Sequence, residues 1–292
     1  MNNIKEFCCG VVILNYNSHD LTIRLAEKVA EMTTVNAICV VDNNSKDNFE
    51  DVFSHPKIHY IKNNKNSGYS AGNNVGLRYL IEKKGCDYVF IANPDVQFQD
   101  ETVEAMLNAM KIHPQLAMVS TKRYGHAGTL IHQYFDFPPF WTSVKNCFFL
   151  PRRMFEKKRH LEQNKIIDGA KTIHYVDAVP GAFFGIRSEF LVKNNYIYEG
   201  IFLYGEEIIL GRQARNLGYK VGVINTSEYI HDHVQTRFSN RKMFWYDRKS
   251  LKHYYKMFGD LNILQQMILN VATIAGTIEY NCAYYIYHLL KK

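Results

Sequence analysis

Apolar and polar positions fall into two periods that alternate along the first part of the chain. Short, nearly continuous apolar runs rich in β-branched and aromatic residues occupy 7–14, 37–41, 58–61 and 88–92. Runs of that length without polar alternation predict strands buried on both faces. Between them the period changes to that of a helix. Leu21, Leu25, Val29 and Met32 share a helical face, and the turn Asn15-Tyr16-Asn17-Ser18 supplies capping residues for a helix beginning near Asp20. Tyr69 to Lys83 and Glu101 to His113 predict two more helices. Strand and helix alternate at about 25 to 30 residues per unit, which predicts a parallel sheet with right-handed crossovers.

Further along, 116–120 predicts a strand, and then the pattern weakens from Lys122 to Thr172. That region holds glycines, the aromatic cluster Phe135-Asp136-Phe137-Pro138-Pro139-Phe140-Trp141 and a basic stretch at Arg152-Arg153 and Lys157-Lys158-Arg159. It reads either as a mobile, substrate-facing excursion or as a solvated loop whose aromatics fill a satellite core. Order returns at 175–186. Residues 201–207 form an aromatic and apolar run ending in Glu206-Glu207, followed by a helix that stops at Gly218. A strand at 220–224 then leads to Tyr229-Ile230-His231-Asp232-His233, a cluster able to ligate a metal or hydrogen-bond phosphate.

The strand ends carry the candidate chemistry. The run 88–92 stops at Asn93-Pro94-Asp95, where Pro94 ends the ladder and holds Asp95 in a stiff turn. In an open α/β sheet that carboxyl edge is where ligands bind. A nucleotide diphosphate with its divalent cation suits such a carboxylate, since hard cations take one or two protein oxygens and fill the remaining positions with phosphate and water. A plain Asx turn is the competing reading of Asp95. The second strand likewise delivers Asp42 at its carboxyl end. A dinucleotide-binding dehydrogenase has the same rhythm but needs a Gly-x-Gly-x-x-Gly turn after its first strand; here that turn contains no glycine. Glu206 and Glu207 could simply favour a helix N-terminus through its dipole.

Composition adds little that contradicts this. Of 292 residues 47% are hydrophobic and 14% aromatic, enough for a sizeable core. The net charge of +7, from 35 basic and 28 acidic residues, favours an anionic partner without choosing among nucleic acid, phosphorylated ligand and membrane. Nucleic acid is disfavoured because the cations are dispersed and no recognised module is present. Six cysteines show neither metal-ligand nor disulfide spacing, as in a reduced, cytosolic protein. Lys5 and Glu6 before a short apolar run argue against a secretion signal, and no stretch of 18 apolar residues occurs.

Six segments in order, VVILNYNS, VVDNNSKDN, NSGYSAGNNVGL, IANPDV, VPGAFFGIRSEF and FLYGEEIILGRQARNLGYKV, resemble the family 2 glycosyltransferases, and especially their rhamnosyltransferase-like branch. The resemblance covers roughly residues 8–236. It implies an α/β protein of the GT-A nucleotide-diphospho-sugar transferase fold, with a mainly parallel central sheet flanked by helices. Residues 1–243 then form the transferase domain, with 1–121 the nucleotide-sugar half and 122–243 the acceptor and catalytic half. Residues 244–292 form a C-terminal helical extension.

By the same resemblance Asp42 holds the nucleotide base or ribose, and Asn15, Asn66, Gly68 and Asn74 shape that pocket. Asp95 matches the last acid of the family's Asp-x-Asp metal motif, with Asn93 where the first acid often stands. Glu206-Glu207 match a Glu-Asp pair whose second acid is the usual catalytic base, and Glu207 reaches one methylene further than Asp. Gln213 stands where the family has an arginine, with Arg212 beside it. His231 matches the histidine that joins the metal or diphosphate, and His233 is a weaker match. The implied reaction is an inverting single displacement. In it Asp95 and Mn²⁺ or Mg²⁺ clamp the diphosphate of a UDP- or dTDP-sugar, and Glu207 deprotonates a hydroxyl of a saccharide acceptor. The family setting is cell-surface polysaccharide synthesis, such as capsule or O-antigen, on a lipid-linked acceptor at the cytoplasmic face. The competing class is a non-catalytic nucleotide-sugar-binding or scaffolding subunit of a polysaccharide assembly complex.

The last segment has its own pattern. Trp245, Tyr246, Tyr254, Tyr255 and Phe258 lie among cations, and 261–290 holds no lysine or arginine and one acid, Glu279. Ile263, Met267, Val271, Ile274 and Ile278 share a helical face. That face suits a membrane surface, with Lys252, Lys256, Lys291 and Lys292 at the headgroups, or else a core or homodimer contact.

Overall fold

The structure is a computed structural model that describes residues 7–46, 52–154, 156–170, 172–232, 241–259 and 261–290, the side chains of residues 153 and 157 excepted. His233 lies outside the described residues. The four N-terminal strands form where the apolar runs predict them. They are β1 (Cys9–Asn15), β2 (Ala37–Asp42), β3 (Ile58–Lys62) and β4 (Tyr88–Ala92), and they pair in parallel in the order β3-β2-β1-β4. The helices α1 (His19–Ala30), α2 (Tyr69–Arg78) and α3 (Asp100–Ile112) fill the crossovers. A short π-helical turn, Tyr79–Lys83, continues α2 to the predicted end.

Parallel pairing gives way to mixed pairing beyond β4. The remaining strands are β5 (Val96–Gln97), β6 (Leu116–Tyr124), β7 (Ile173–Val176), β8 (Phe183–Arg187) and β9 (Lys220–His231). Strand β8 inserts antiparallel between β4 and β6, β6 pairs in parallel with β9, and β5 and β7 run antiparallel to β9. Alternate residues of the central strands feed two cores. Val11, Ile13 and Phe90 meet α1 and α3 on one face, while Val12, Val41 and Ile91 meet α2 and later helices on the other.

Two predicted boundaries move for physical reasons. The strand at 220–224 runs on to His231, because Thr121 pairs with Ile224 but Lys122 pairs with Glu228, so the polar residues 225–227 bulge out and Tyr229 returns to the core. The weak region 122–172 is largely helical, with α4 (Phe140–Asn146), α5 (Phe149–Met154) and α6 (Glu156–Asp168). Helix α6 escapes hydrophobic periodicity because its inward face is partly amide: Gln163 accepts from the Gln133 N–H (3.0 Å) and donates to the Tyr134 carbonyl (2.9 Å). The satellite-core alternative describes the aromatics better than the mobile one. Phe140 packs with Cys147, Ile209, Tyr254, Tyr255 and Leu269 in a third core, although Trp141 remains exposed.

The third core includes the C-terminal helices. After α7 (Ser188–Lys193) and α8 (Glu206–Asn216) come α9 (Arg241–Phe258) and the 28-residue α10 (Ile263–Leu290). The boundary at residue 243 therefore falls in the first turn of α9. Helix α10 docks through Leu269, Ala272, Gly276 and Tyr280, and a Cβ on Gly276 would lie 2.0 Å from the Cys147 carbonyl oxygen, so the helix rests against backbone. No helix among the described residues is long and apolar enough to cross a membrane.

Candidate active site

The carboxyl ends of β1, β2 and β4, the amino end of α2, the segment at Phe202 and Leu203 before α8, and the first turns of α9 converge on one cavity of about 530 Å³. Behind it is a network of short polar side chains. Asn15 donates to Asp42 Oδ1 (2.9 Å) and to Ser45 Oγ (2.8 Å), and its own oxygen accepts from Thr22 Oγ1 (2.9 Å). Asp42 also accepts from the Ser45 N–H at 3.2 Å to each oxygen. Both Asn15 and Asp42 are fully buried and neither lines the cavity; they stand behind Leu14, Tyr16 and Asn43, the chain neighbours that do. Above them Asn43 donates to Asn66 Oδ1 (2.9 Å) and to the Gly68 carbonyl (3.1 Å), which fixes the entry to α2. Asn66, Gly68, Asn93 and Asp95 line the cavity.

Asn74 does not. Its amide donates to the Ile197 carbonyl and to Glu199 Oε1, each at 2.7 Å, and accepts from the Ile197 N–H (3.1 Å). It fastens a loop to the flank of α2 and so reaches the pocket only through that helix.

Gly68 shows how tightly the wall is built. Its φ is +100°, and an added Cβ would lie 2.4 Å from the Phe202 carbonyl oxygen, the acceptor of the Tyr69 N–H (2.9 Å). Gly68→Ala is expected to lose about 2–3 kcal/mol of stability through backbone strain and displacement of the Phe202 segment. Thermal melts check this, with a Tm close to that of the natural sequence as the contrary result.

The metal-candidate pair is made by strand register. Antiparallel pairing of β5 with β9 sets Val96 opposite His231, and the Asp232 N–H donates to the Asp95 carbonyl (2.8 Å). His231 Nε2 then stands 3.2 Å from Asp95 Oδ1. No third histidine, cysteine or acid joins them as a metal cluster among the described residues. An oxygen and an imidazole nitrogen at one point fit a divalent cation that takes its other ligands from phosphate and water.

Arg123, at the end of β6, escapes the sequence reading. Its Nη2 lies 2.6 Å from His231 Nδ1 and its Nη1 donates to the His132 carbonyl (3.3 Å). The residue sits three positions past the apolar run that ends at Ser120, and the rule that ligands gather at carboxyl strand ends is the signal that could have found it.

Gly205, in the left-handed conformation (φ +84°), ends the 201–205 segment and starts α8 with its two acids. Glu207 Oε1 accepts from the Gly181 N–H (3.1 Å), and Tyr69 Oη donates to the Gly181 carbonyl (2.5 Å). Burial raises the Glu207 carboxyl above the usual range, opposed by the N–H groups at the helix start and at Gly181 and by Arg123. Burial and then the Glu207 charge raise Glu206 further, and Glu206 Oε2 has no hydrogen-bond partner. The arrangement suits proton transfer, with a shielded carboxylate of raised pKa beside a second acid.

A raised carboxyl favours the folded state while it is protonated, and that stabilisation is lost as pH rises through the folded value. Glu206→Gln is therefore expected to stabilise the protein at neutral pH, by about 1–3 kcal/mol, the cost of an unpaired buried group. The gain should shrink on acidification. Melts across pH 5 to 8 test this; a constant gap between the two proteins would contradict it.

The profile of the family described as "Glycosyl transferase family 2" matches residues 10–177. Among curated proteins, the low-salt glycan biosynthesis hexosyltransferase Agl10 of Haloferax volcanii is 26% identical over 242 residues, which cover 82% of this chain and 72% of that protein. Two solved structures share the architecture. GalNAc-T7 with UDP, GalNAc and Mn²⁺ superposes with a TM-score of 0.58 at 12% identity, over 91% of this chain and 55% of that one. The mannosyltransferase PcManGT of Pyrobaculum calidifontis, in complex with GDP-Man and Mn²⁺, gives 0.57 at 12% identity, over 92% and 70%. The chain thus spans little more than half the length of the first of these, and the likeness to both is one of fold.

Proposed function

We propose, from the premise that this chain belongs to glycosyl transferase family 2, that it transfers a sugar from a nucleotide-diphosphate donor to a saccharide hydroxyl with inversion. The observation that carries this is the pairing of β5 with β9, which brings His231 to Asp95 at the rim of a cavity that Asp95 lines together with Asn43, Asn66 and Gly68. The donor's nucleoside lies in that cavity, walled by Asn66 and Gly68. Asp95 and His231 hold a divalent cation, Mn²⁺ or Mg²⁺, whose chemistry is to neutralise charge on the leaving diphosphate. Arg123 donates to His231 Nδ1, which leaves the ring proton on Nε2 toward Asp95, so Nε2 would become a cation ligand once Arg123 turns away. Glu207 accepts the proton of the acceptor hydroxyl as that oxygen attacks the anomeric carbon, and burial, which raises its carboxyl pKa, strengthens it as a base. The solved relatives bound to UDP and GDP-Man with Mn²⁺ support the donor class. The test is a panel of UDP-, dTDP- and GDP-sugars with Mn²⁺, Mg²⁺ or chelator, read as binding and slow hydrolysis. One metal-dependent nucleotide sugar is the expected result. Silence across the panel from folded protein would favour a non-catalytic scaffolding subunit.

We infer a cytoplasmic enzyme working at a membrane surface on a lipid-linked saccharide in cell-surface polysaccharide synthesis. The support is the outer side of the C-terminal helices. Ile263, Met267, Val271, Ile274 and Ile278 of α10 are all exposed, opposite its docked side, and α9 exposes Lys242, Trp245, Lys249 and Lys256 at helical spacing. An apolar stripe beside an aromatic and basic one fits an anionic lipid interface. In flotation with anionic liposomes the protein is expected to rise with the vesicles, and Ile263→Glu/Ile274→Glu to stay behind. Equal recovery of both, or a dimer that dissociates in the double variant, would replace the membrane with a second copy of the chain.

A further inference from the structure

A second cavity, of about 550 Å³, shares no lining residue with the first among the described residues, but Arg123 links them through His231 to Asp95. Arg123 lines it while its Nη2 meets His231. Ile208, next to Glu207, also lines it, and α9 presents Tyr246 to the first cavity but Asp247 and Arg248 to the second. Glu207 does not line the second space, but the Arg123 charge reaches its carboxyl.

Its walls differ from those of the first. One is apolar, built from Phe135, Phe137, Pro138 and Pro139. Phe137 is held by the guanidinium groups of Arg212 and Arg215, at 4.7 and 4.5 Å from its ring centre. The other wall carries four arginines, Arg123, Arg152, Arg159 and Arg248, against three carboxylates, Asp136, Glu156 and Asp247. Asp247 is already engaged, since its Oδ2 accepts from Arg152 Nη1 (2.8 Å) and Arg248 Nη2 (3.0 Å). Arg159 makes no such hydrogen-bonded pair among the described residues, although the Asp136 carboxylate in the same lining feels its charge. Burial, and then the charges of His160, Arg159, Arg123 and Arg152, push the His132 imidazole down to about 3, so it is neutral. His132 Nδ1, Arg123 Nε and Arg248 Nε are buried without a hydrogen-bond partner. Native proteins seldom leave several such atoms together. A tetrahedral oxyanion supplies charge and several acceptors at once, and guanidinium forks match it.

We propose that this second cavity binds a phosphate group carried by the acceptor, with Arg159 and Arg152 as its cationic ligands and the phenylalanine and proline wall against the adjoining apolar or sugar part. The inference rests on the transferase reading for the word acceptor, but anion binding can be measured without it. Two sources share this chemistry, a lipid phosphate and a phosphorylated saccharide.

Isothermal titration of the full chain, in chelator, with inorganic pyrophosphate and with geranyl phosphate tests it. Arg159→Gln is expected to weaken pyrophosphate binding about tenfold or more, the usual range for one charge-assisted contact. Arg159→Lys, which keeps the charge and loses the fork, should fall between. Tighter binding of geranyl phosphate than of pyrophosphate points to a lipid phosphate, and the reverse order points to a phosphorylated saccharide. Absence of pyrophosphate binding, or equal binding by all three proteins, overturns the proposal. Titration of UDP with Mn²⁺ into the same proteins separates the two readings: failure there alone counts against the donor site, and failure of the pyrophosphate arm alone counts against the second cavity.

Discussion

Glu207→Gln is expected to lower the transfer rate by about 10²- to 10⁴-fold, the range for loss of a positioned general base, while donor affinity stays within a few fold. The amide keeps the size of the side chain and one acceptor for the Gly181 N–H, so the start of α8 should survive. It cannot take a proton. The natural enzyme should also show an acid limb in kcat/KM above the ordinary glutamate range, because burial raises the Glu207 carboxyl. Rate is then lost as pH falls through that raised value and the carboxylate becomes protonated. Steady-state kinetics of both proteins from pH 5 to 9 provide the check. A variant with near-natural rate would remove Glu207 from the role of base and move attention to Glu206, the acid without a partner for its Oε2.

Asp95→Ala is expected to act on the other half of the reaction. It removes the one carboxylate of the Asp95–His231 pair, so cation and diphosphate both lose their anchor. A fall of about 10²- to 10³-fold in turnover is expected, as for loss of one group that stabilises developing charge. Dependence on Mn²⁺ should shift to higher concentrations. Metal titration of hydrolysis checks this. The strand pairing of Val96 with His231 does not use the carboxylate, so the fold should be intact. Unchanged metal dependence in the variant would show that the cation is held elsewhere.

The central sheet was legible because its strands are buried on both faces, and continuous apolar runs such as 37–41 and 88–92 have few other uses. Carboxylates placed at strand ends followed from the same runs. What escaped depended on polar residues inside elements. Strand β9 looked finished at Ile224 because 225–228 reads Asn-Thr-Ser-Glu, yet a bulge carries the strand on to His231. Strand β6 looked finished at Ser120 because Lys122 and Arg123 are cations, yet both pair with β9. Helix α6 has Gln163 and Asn164 buried where a hydrophobic stripe would have announced it. Arg123 and the second cavity both lie in that unread stretch.

The resemblance assigns Glu207 and His231 roles that pattern alone leaves open, and at Asn74 it implies a pocket that this side chain does not line. An asparagine at that position can serve a pocket or a neighbouring loop, and only the partners at Ile197 and Glu199 separate the two. The chain is a glycosyltransferase of family 2 by its profile match. Its substrates follow from residues that this sequence arranges for itself.

The most direct measurement is anomalous diffraction at the manganese edge from crystals grown with Mn²⁺ and the nucleotide sugar selected by the panel. The expected result is one manganese peak within bonding distance of Asp95 and His231, with the nucleoside beside Asn66 and Gly68 and the sugar toward Glu207. Nucleotide density in the second cavity, or manganese bound away from Asp95, would contradict the account.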